Sequence, residues 1–233
     1  MEIIGERSPF PSREQLWQGV VLGTIAHAIW VAPTGGKYFF QGWDGVNYLF
    51  NRGNGDRATL TFTPEYVVAA FFDLHSERSP WRESPRFPFG SAYHAEDYFI
   101  DAPSAVQTIA QQETLQYLFD DINDQIQPTI TAAFWSDGDA ITAREPWAKV
   151  VEHGAHMIAH QTLPLEDAIA EWTQEYGLVK DQITLLRTLF TRWIASASPI
   201  VITAEERKIL TAQGDAGLAE ARKLLAIVGI ELP

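Results

Sequence analysis

The sequence contains no cysteine among its 233 residues. Disulfide bonds, thiol nucleophiles, iron–sulfur clusters and thiolate zinc sites are therefore excluded. A chain of this length buries enough surface to fold without such cross-links. A cysteine-free sequence also fits the reducing environment of the cytosol, so we expect a cytoplasmic protein.

Basic residues are also scarce, because 17 Lys and Arg face 30 Asp and Glu, a formal net charge of −13 at pH 7. A field of this sign repels nucleic-acid phosphates and anionic lipids, and the Lys and Arg residues form no concentrated patch. We therefore expect neither a nucleic-acid partner nor a membrane partner. The acidity has two interpretations, which are solubility and a surface that recognises a basic partner.

The start of the chain lacks the pattern of a secretion signal, because Glu2 and Glu6 precede any apolar run. The longest nearly apolar stretch covers residues 19–33, and we predict that it is too short to span a bilayer. Phosphate-binding glycine motifs and the Gly-x-Ser-x-Gly nucleophile elbow are absent as well. The sequence thus predicts a soluble protein and gives no motif for an organic cofactor.

The residues that are present indicate an α+β protein, beginning with a helix. Ser12 and Gln15 form a capping-box pattern, and apolar positions at helical spacing then predict a helix over about 13–30. We expect His27, inside this helix, to be a core histidine with a hydrogen-bond partner. Turn signals such as Asp44-Gly45 then separate three predicted strands, at about 37–42, 46–51 and 57–63.

The middle of the chain is less regular. Residues 64–75 fit a strand or a helix, and we choose a strand because Val and Phe dominate them. A proline-rich loop follows, with a predicted strand near 98–100. Ser104 and Gln107 form a second capping-box pattern, which predicts a helix to about Asn123. Asp137-Gly138 predicts a hairpin with strands near 129–135 and 140–143.

The last third of the chain is predicted to be helical. The predicted helices cover about 146–161, 164–176, 181–196, 204–213 and 216–228. Thr203 and Glu206 give a further capping box, and Gly177 gives a helix stop. We therefore predict one α+β domain over residues 1–233, in which antiparallel hairpins in the first 145 residues pack with an N-terminal helix and about five C-terminal helices.

The segment VEHGAHMIAHQ, residues 151–161, holds three of the six histidines. If it is one helix, His153, His156 and His160 form a stripe opposite the apolar face, in water or facing a cleft. His156 and His160 lie one turn apart and could both reach a zinc or nickel ion. The alternative is a solvated or cleft-lining face without a metal, and the His-Glu-x-x-His pattern of metalloproteases is absent.

Other polar residues are candidates for the same chemistry or for binding. Asp73 and His75 follow an apolar strand, where both side chains would share one face and could complete a metal-dependent hydrolase centre. Their ordinary interpretation is a loop start.

An aromatic hairpin and the proline-rich loop are candidate binding surfaces. The candidate binding residues are Trp43, Asp44, Tyr48, His94 and Asp97. Core packing is the alternative for the aromatic residues of the hairpin.

Three aspartates, Asp120, Asp121 and Asp124, fall at the end of a predicted helix, where the helix dipole disfavours negative charge. They indicate either a contact with a basic partner or a frayed helix end.

We therefore expect a non-catalytic cytoplasmic protein of prokaryotic type, regulatory, toxin-neutralising or adaptor in kind. It would bind another protein through an acidic surface that contains aromatic residues, without a cofactor. The first alternative is a metal-dependent hydrolase that uses the histidine cluster with zinc or nickel. The second alternative is a homodimer held together by the aromatic hairpin or a helix face.

Overall fold

A computed structural model describes residues 12–36, 41–122, 124–196 and 199–233. The α-helices of this part are α1 (Arg13–Thr34), α2 (Ser104–Gln112), α3 (Trp147–Glu152), α4 (Ala159–Thr162), α5 (Leu165–Tyr176), α6 (Lys180–Ala195), α7 (Ala204–Thr211) and α8 (Leu218–Ile227). Short 3-10 helices cover Ala95–Phe99, Thr114–Tyr117 and Ala155–Ile158.

The strands form one large sheet and two small ones. They are β1 (Gln41–Asp44), β2 (Asn47–Asn51), β3 (Arg57–Phe62), β4 (Val67–Phe72), β5 (Phe119–Ile122), β6 (Gln125–Pro128), β7 (Ala132–Asp137), β8 (Ala140–Thr142), β9 (Ile200–Val201) and β10 (Ile230–Glu231). The large sheet has the order β1-β2-β3-β4-β7-β8. The predicted α+β class, with antiparallel hairpins before residue 145 and helices after it, is confirmed.

The chain divides into two compact units. Unit one comprises residues 1–16 and 44–158, and unit two comprises residues 17–43 and 159–233. Unit one is thus built mainly from the continuous middle of the chain, whereas unit two combines an early segment with the C-terminal third. The single-domain organisation stays a prediction.

In unit one, the central strand β4 settles the ambiguity of residues 64–75. It pairs antiparallel with β3 on one side and with β7 on the other, and all six of its residues are buried. A strand covered on both edges and both faces has no polar face, which is why its sequence does not alternate. The predicted strand is therefore confirmed, and so is the β7–β8 hairpin, where Gly138 has a φ of 61°.

In unit two, most of α1 lies in a core that it shares with α5, α6 and α8. A β-carbon on Gly19 would lie 1.8 Å from the carbonyl oxygen of Gln161, so glycine permits a close approach of two backbones there. The helix extends beyond the apolar stretch 19–33, and α1, with its 22 residues, is long and apolar enough to cross a membrane by length and composition alone. Its apolar window is 72% buried, as in a core helix of a soluble protein.

Two of the three predicted capping boxes are present at the starts of helices. Ser12 and Gln15 exchange hydrogen bonds at the start of α1 (3.0 and 3.2 Å), and Thr203 and Glu206 do so at the start of α7 (2.8 and 3.2 Å). The capping box predicted at Ser104 is wrong, because Pro103 holds the cap position without a side-chain bond.

Three predicted elements differ from the structure. The helix predicted to about residue 123 ends at Gln112, and a 3-10 turn and strand β5 follow it. The strand predicted near 98–100 is wrong, because residues Ala95–Phe99 form a 3-10 helix. The helix predicted over 146–161 is broken into α3, a 3-10 turn and α4. Residues 37–40 of the first predicted strand lie outside the described residues.

Candidate functional site

The break in the histidine segment comes from packing at Gly154 in unit one. A β-carbon at this position would lie 2.4 Å from the β-carbon of Phe71, so glycine lets the chain pass directly against β4. Helix α3 ends at Glu152, and a 3-10 turn starts at Ala155. The directions of the three histidine side chains can therefore not be derived by treating the segment as one continuous helix.

His153 is consequently buried, with 2% of its surface exposed, and the prediction that it faces outward is wrong. Its Nδ1 lies 3.0 Å from Ser76 Oγ, while its carbonyl oxygen accepts a hydrogen bond from Thr131 Oγ1 at 2.5 Å. Burial lowers the pKa of His153, and the nearby positive charge of Arg78 lowers it further. The imidazole is therefore neutral near pH 7 and links the loop after β4 to the strand β7 region.

Asp73 and His75 do not share a face, because β4 ends at Phe72 and a tight turn begins there. The buried Asp73 carboxylate accepts hydrogen bonds from the backbone N–H groups of His75 (2.7 Å) and Ser76 (3.1 Å). His75 itself is exposed. The Asp73 carboxylate is thus engaged in organising the turn, as Asp often is at such positions.

The other two histidines of the segment lie in different units. In unit one, His156 Nδ1 lies 3.0 Å from the carbonyl oxygen of Val151. In unit two, His160 Nε2 lies 3.6 Å from a carboxylate oxygen of Glu171, and the His160 ring meets Trp172 edge-on at 4.9 Å. Within the described ranges, no group of three or more His, Asp or Glu residues is arranged to hold a metal ion. The metal-dependent hydrolase stays a prediction without geometric support.

The residues of the predicted aromatic hairpin have mainly structural contacts. Tyr48 is fully buried in unit one. Trp43, in unit two, is half-buried and donates its indole N–H to Thr24 Oγ1 at 3.1 Å. Asp44 is exposed, and its carboxylate accepts a hydrogen bond from the Tyr117 hydroxyl, which raises the pKa of Tyr117.

His94 and Asp97 lie at the 3-10 helix of the proline-rich loop. The exposed His94 precedes this helix, and its carbonyl oxygen accepts a hydrogen bond from the Asp97 N–H at 3.2 Å. The Asp97 carbonyl oxygen in turn accepts a hydrogen bond from Arg144 at 2.5 Å. The adjacent cavity, lined by aromatic rings, measures only about 10 Å³, which is no more than one water molecule needs.

Asp120, Asp121 and Asp124 do not lie at a helix end, as predicted, but in the hairpin β5–β6, residues 119–128, of unit one. The register pairs Phe119 with Pro128 and Asp121 with Ile126, so these four residues share one face. On this face, Ile126 is 70% exposed and Phe119 is 37% exposed. Two large apolar side chains exposed together are typical of the centre of a binding surface, whereas a surface that only promotes solubility would be polar.

The same hairpin is acidic. Asp121 on the exposed face and Asp124 in the turn are both exposed, and neither forms an ion pair within the described ranges. Asp120 points to the opposite face and pairs with Arg57. Residues 119–128 contain no Lys or Arg, so no cation within the hairpin neutralises its exposed carboxylates.

The hairpin belongs to the more acidic part of the chain. Unit one contains 20 acidic and nine basic residues, a formal charge of −11, whereas unit two contains ten and eight, a charge of −2. Most of the net charge of the chain therefore belongs to the unit that contains this exposed apolar face.

Comparison with known proteins adds no family to this description. The chain matches no protein-family model, no curated protein and no solved structure.

Proposed function

We propose that the protein is a non-catalytic, cytoplasmic binding protein of prokaryotic type, which binds a basic protein through the exposed face of β5–β6. A regulatory, toxin-neutralising or adaptor role fits such an activity. The observation that supports the proposal is the combination, on one hairpin, of Phe119 and Ile126 with the unpaired carboxylates of Asp121 and Asp124.

The apolar part of the face supplies affinity. Transfer of one large apolar side chain from water into an interface contributes about 1.5–3 kcal/mol when the side chain becomes fully buried. Ile126 exposes a larger fraction of its surface than any other large hydrophobic residue of the described chain, and Phe119 lies on the same face. A partner would therefore offer an apolar recess at this position.

The acidic part of the face supplies partner choice. Carboxylates around an apolar contact accelerate the encounter with a positively charged surface and penalise a negatively charged one. A second copy of this chain would bring Asp121 and Asp124 against their own like charges. The same field disfavours nucleic acid and anionic lipid. A basic protein satisfies both the apolar and the electrostatic requirement.

The experiment is a crosslinking and affinity measurement with the full chain. A photo-reactive residue at position 126 identifies the protein that contacts the hairpin in native cells, and titration at about 0.15 M salt then gives the Kd. The double variant Asp121→Asn, Asp124→Asn is expected to weaken binding about tenfold, mainly by slowing association. Ile126→Ser is expected to weaken it by a similar factor through faster dissociation.

The matched control is Asp137→Asn, since Asp137 is an exposed aspartate of the β7–β8 hairpin in the same unit. This variant is expected to bind as tightly as the wild type. The proposal is wrong if the hairpin variants bind the crosslinked protein as tightly as the control. It is also wrong if light scattering shows that the crosslinked partner is a second copy of this chain.

A further inference from the structure

Unit two contains a groove between the first turn of α6 and one face of α7, which we call the α6–α7 groove. Its volume is about 350 Å³, which lies within the range of about 300–1,000 Å³ usual for small-molecule sites. Its lining includes Val179, Asp181, Glu205, Lys208, Ile209 and Ala212.

Hydrogen bonds of their own hold both walls of the groove in place. At the start of α6, the backbone N–H of Val179 donates to Gln182 Oε1 at 3.0 Å. At the start of α7, Thr203 and Glu206 exchange two hydrogen bonds of 2.8 and 3.2 Å. A ligand therefore meets a preformed groove and need not order its walls, which lowers the cost of binding.

One part of the lining is apolar and accessible. Val179 is 47% exposed although it is a large hydrophobic residue. Ile209 in the last turn of α7 and Ala212, the residue that directly follows the helix, both line the groove, and Ile209 is half-buried. An apolar ligand body that covers these side chains would remove their surface from water.

The charged part of the lining has one negative charge in excess. Lys208 Nζ lies 2.7 Å from a carboxylate oxygen of Glu205, so these two charges balance each other. Asp181 is exposed and has no ion-pair partner among the residues that the structure describes. The positive end of the α6 dipole stabilises a carboxylate in the first turn of the helix. Since no cationic side chain of the described residues pairs with the Asp181 carboxylate, it remains available to a cation from solution.

We propose that the α6–α7 groove binds a small organic ammonium ion with an apolar body. The charged nitrogen contacts the Asp181 carboxylate, and the apolar body covers Val179 and Ile209. The two features that select this class are the uncompensated carboxylate and the exposed apolar wall beside it. A neutral molecule of the same shape lacks the first contact, and an anion is repelled.

The test uses three probes of nearly equal shape, 2-phenylethylamine, 2-phenylethanol and 3-phenylpropionate, titrated into the ¹⁵N-labelled full chain. Backbone amide shifts locate each probe and give its Kd. We expect shifts at residues 179–182 and 205–213, and an affinity for the amine about fivefold higher than for the alcohol, as one ion pair of about 1 kcal/mol supplies. The propionate is expected to bind most weakly.

Two variants separate the proposal from a general affinity for amines. Asp181→Asn is expected to reduce the amine affinity to that of the alcohol while leaving the alcohol unchanged. Asp215→Asn removes an exposed carboxylate that does not line the groove, and is expected to change neither. The proposal is overturned if the three probes bind equally, if the shifts lie elsewhere, or if Asp181→Asn binds the amine like the wild type.

Discussion

Acidification is expected to destabilise the protein through His27 in unit two. Only 3% of the surface of His27 is exposed, and its ring lies 5.6 Å from the rings of both Trp30 and Tyr176. Its Nδ1 is buried and has no hydrogen-bond partner within the described ranges. The core position of His27 is as predicted, but this nitrogen lacks the expected partner.

Burial lowers the pKa of His27 from its ordinary value of 6.5 to about 4. Between these two pH values the unfolded chain binds a proton that the folded chain excludes, so stability is fully present above pH 6.5 and is lost as the pH falls towards 4. Each pH unit in this window costs about 1.4 kcal/mol. Lowering the pH from 7.5 to 5 is therefore expected to cost about 2 kcal/mol through His27 alone.

The assay is urea denaturation at pH 7.5 and pH 5, followed by tryptophan fluorescence and circular dichroism. The wild type is compared with His27→Phe, which keeps an aromatic ring in the cluster but cannot be protonated. Other groups that titrate, His153 among them, contribute equally to both proteins. The difference between the two pH-dependent losses therefore isolates His27.

The expected result is that the wild type loses about 2 kcal/mol more than His27→Phe on going from pH 7.5 to 5. Equal losses in the two proteins would refute the reasoning, because His27 would then be protonated to the same extent in the folded and unfolded chains. A buried histidine that found an acceptor on acidification would produce that result.

Two further predictions concern unit one. Glu145→Gln leaves the buried Arg78 guanidinium, to which it is bonded at 2.5 and 2.8 Å, without a counter-charge; urea titration is expected to give a loss of about 3 kcal/mol, and a loss below 1 kcal/mol, as for an exposed pair, would contradict it. Gly154→Ala forces a β-carbon to within 2.4 Å of that of Phe71, and the same assay is expected to show a loss of about 1–3 kcal/mol. If the segment were one continuous helix, alanine would instead stabilise it by about 1 kcal/mol.

The elements that local chemistry specifies could be predicted from the sequence. Asp137-Gly138 supplies the left-handed backbone of a tight hairpin, and β7 and β8 pair around it. Thr203 with Glu206 and Gly177 mark helix ends through hydrogen bonds and backbone freedom that a few neighbouring residues determine.

The predictions are wrong where contacts between residues far apart in the sequence determine the local structure. The break at Gly154 follows from contact with Phe71, which is far away in the sequence, so no local pattern reveals it. The two-residue strands β9 and β10 pair in parallel across about 30 residues, and each is too short to show a period.

The candidate surface could not be located from the sequence for a related reason. Apolar residues at helical spacing predict that a helix carries the aspartates of residues 120–124, whereas this helix ends at Gln112. The available signal was Asn123-Asp124, a turn-forming pair in which Asp124 adopts a φ of 63°. Exposure of Ile126 depends on tertiary packing and could not be predicted from the sequence.

The order in which the chain emerges from the ribosome affects unit two. Most of α1 is made early, but the helices that cover it begin at Leu165, after more than a hundred residues of unit one. At a synthesis rate of 5–20 residues per second, on the order of 10 s pass between the synthesis of α1 and that of the helices that cover it. During translation, then, a helix hydrophobic enough to suit a bilayer is open to chaperones before its own core exists.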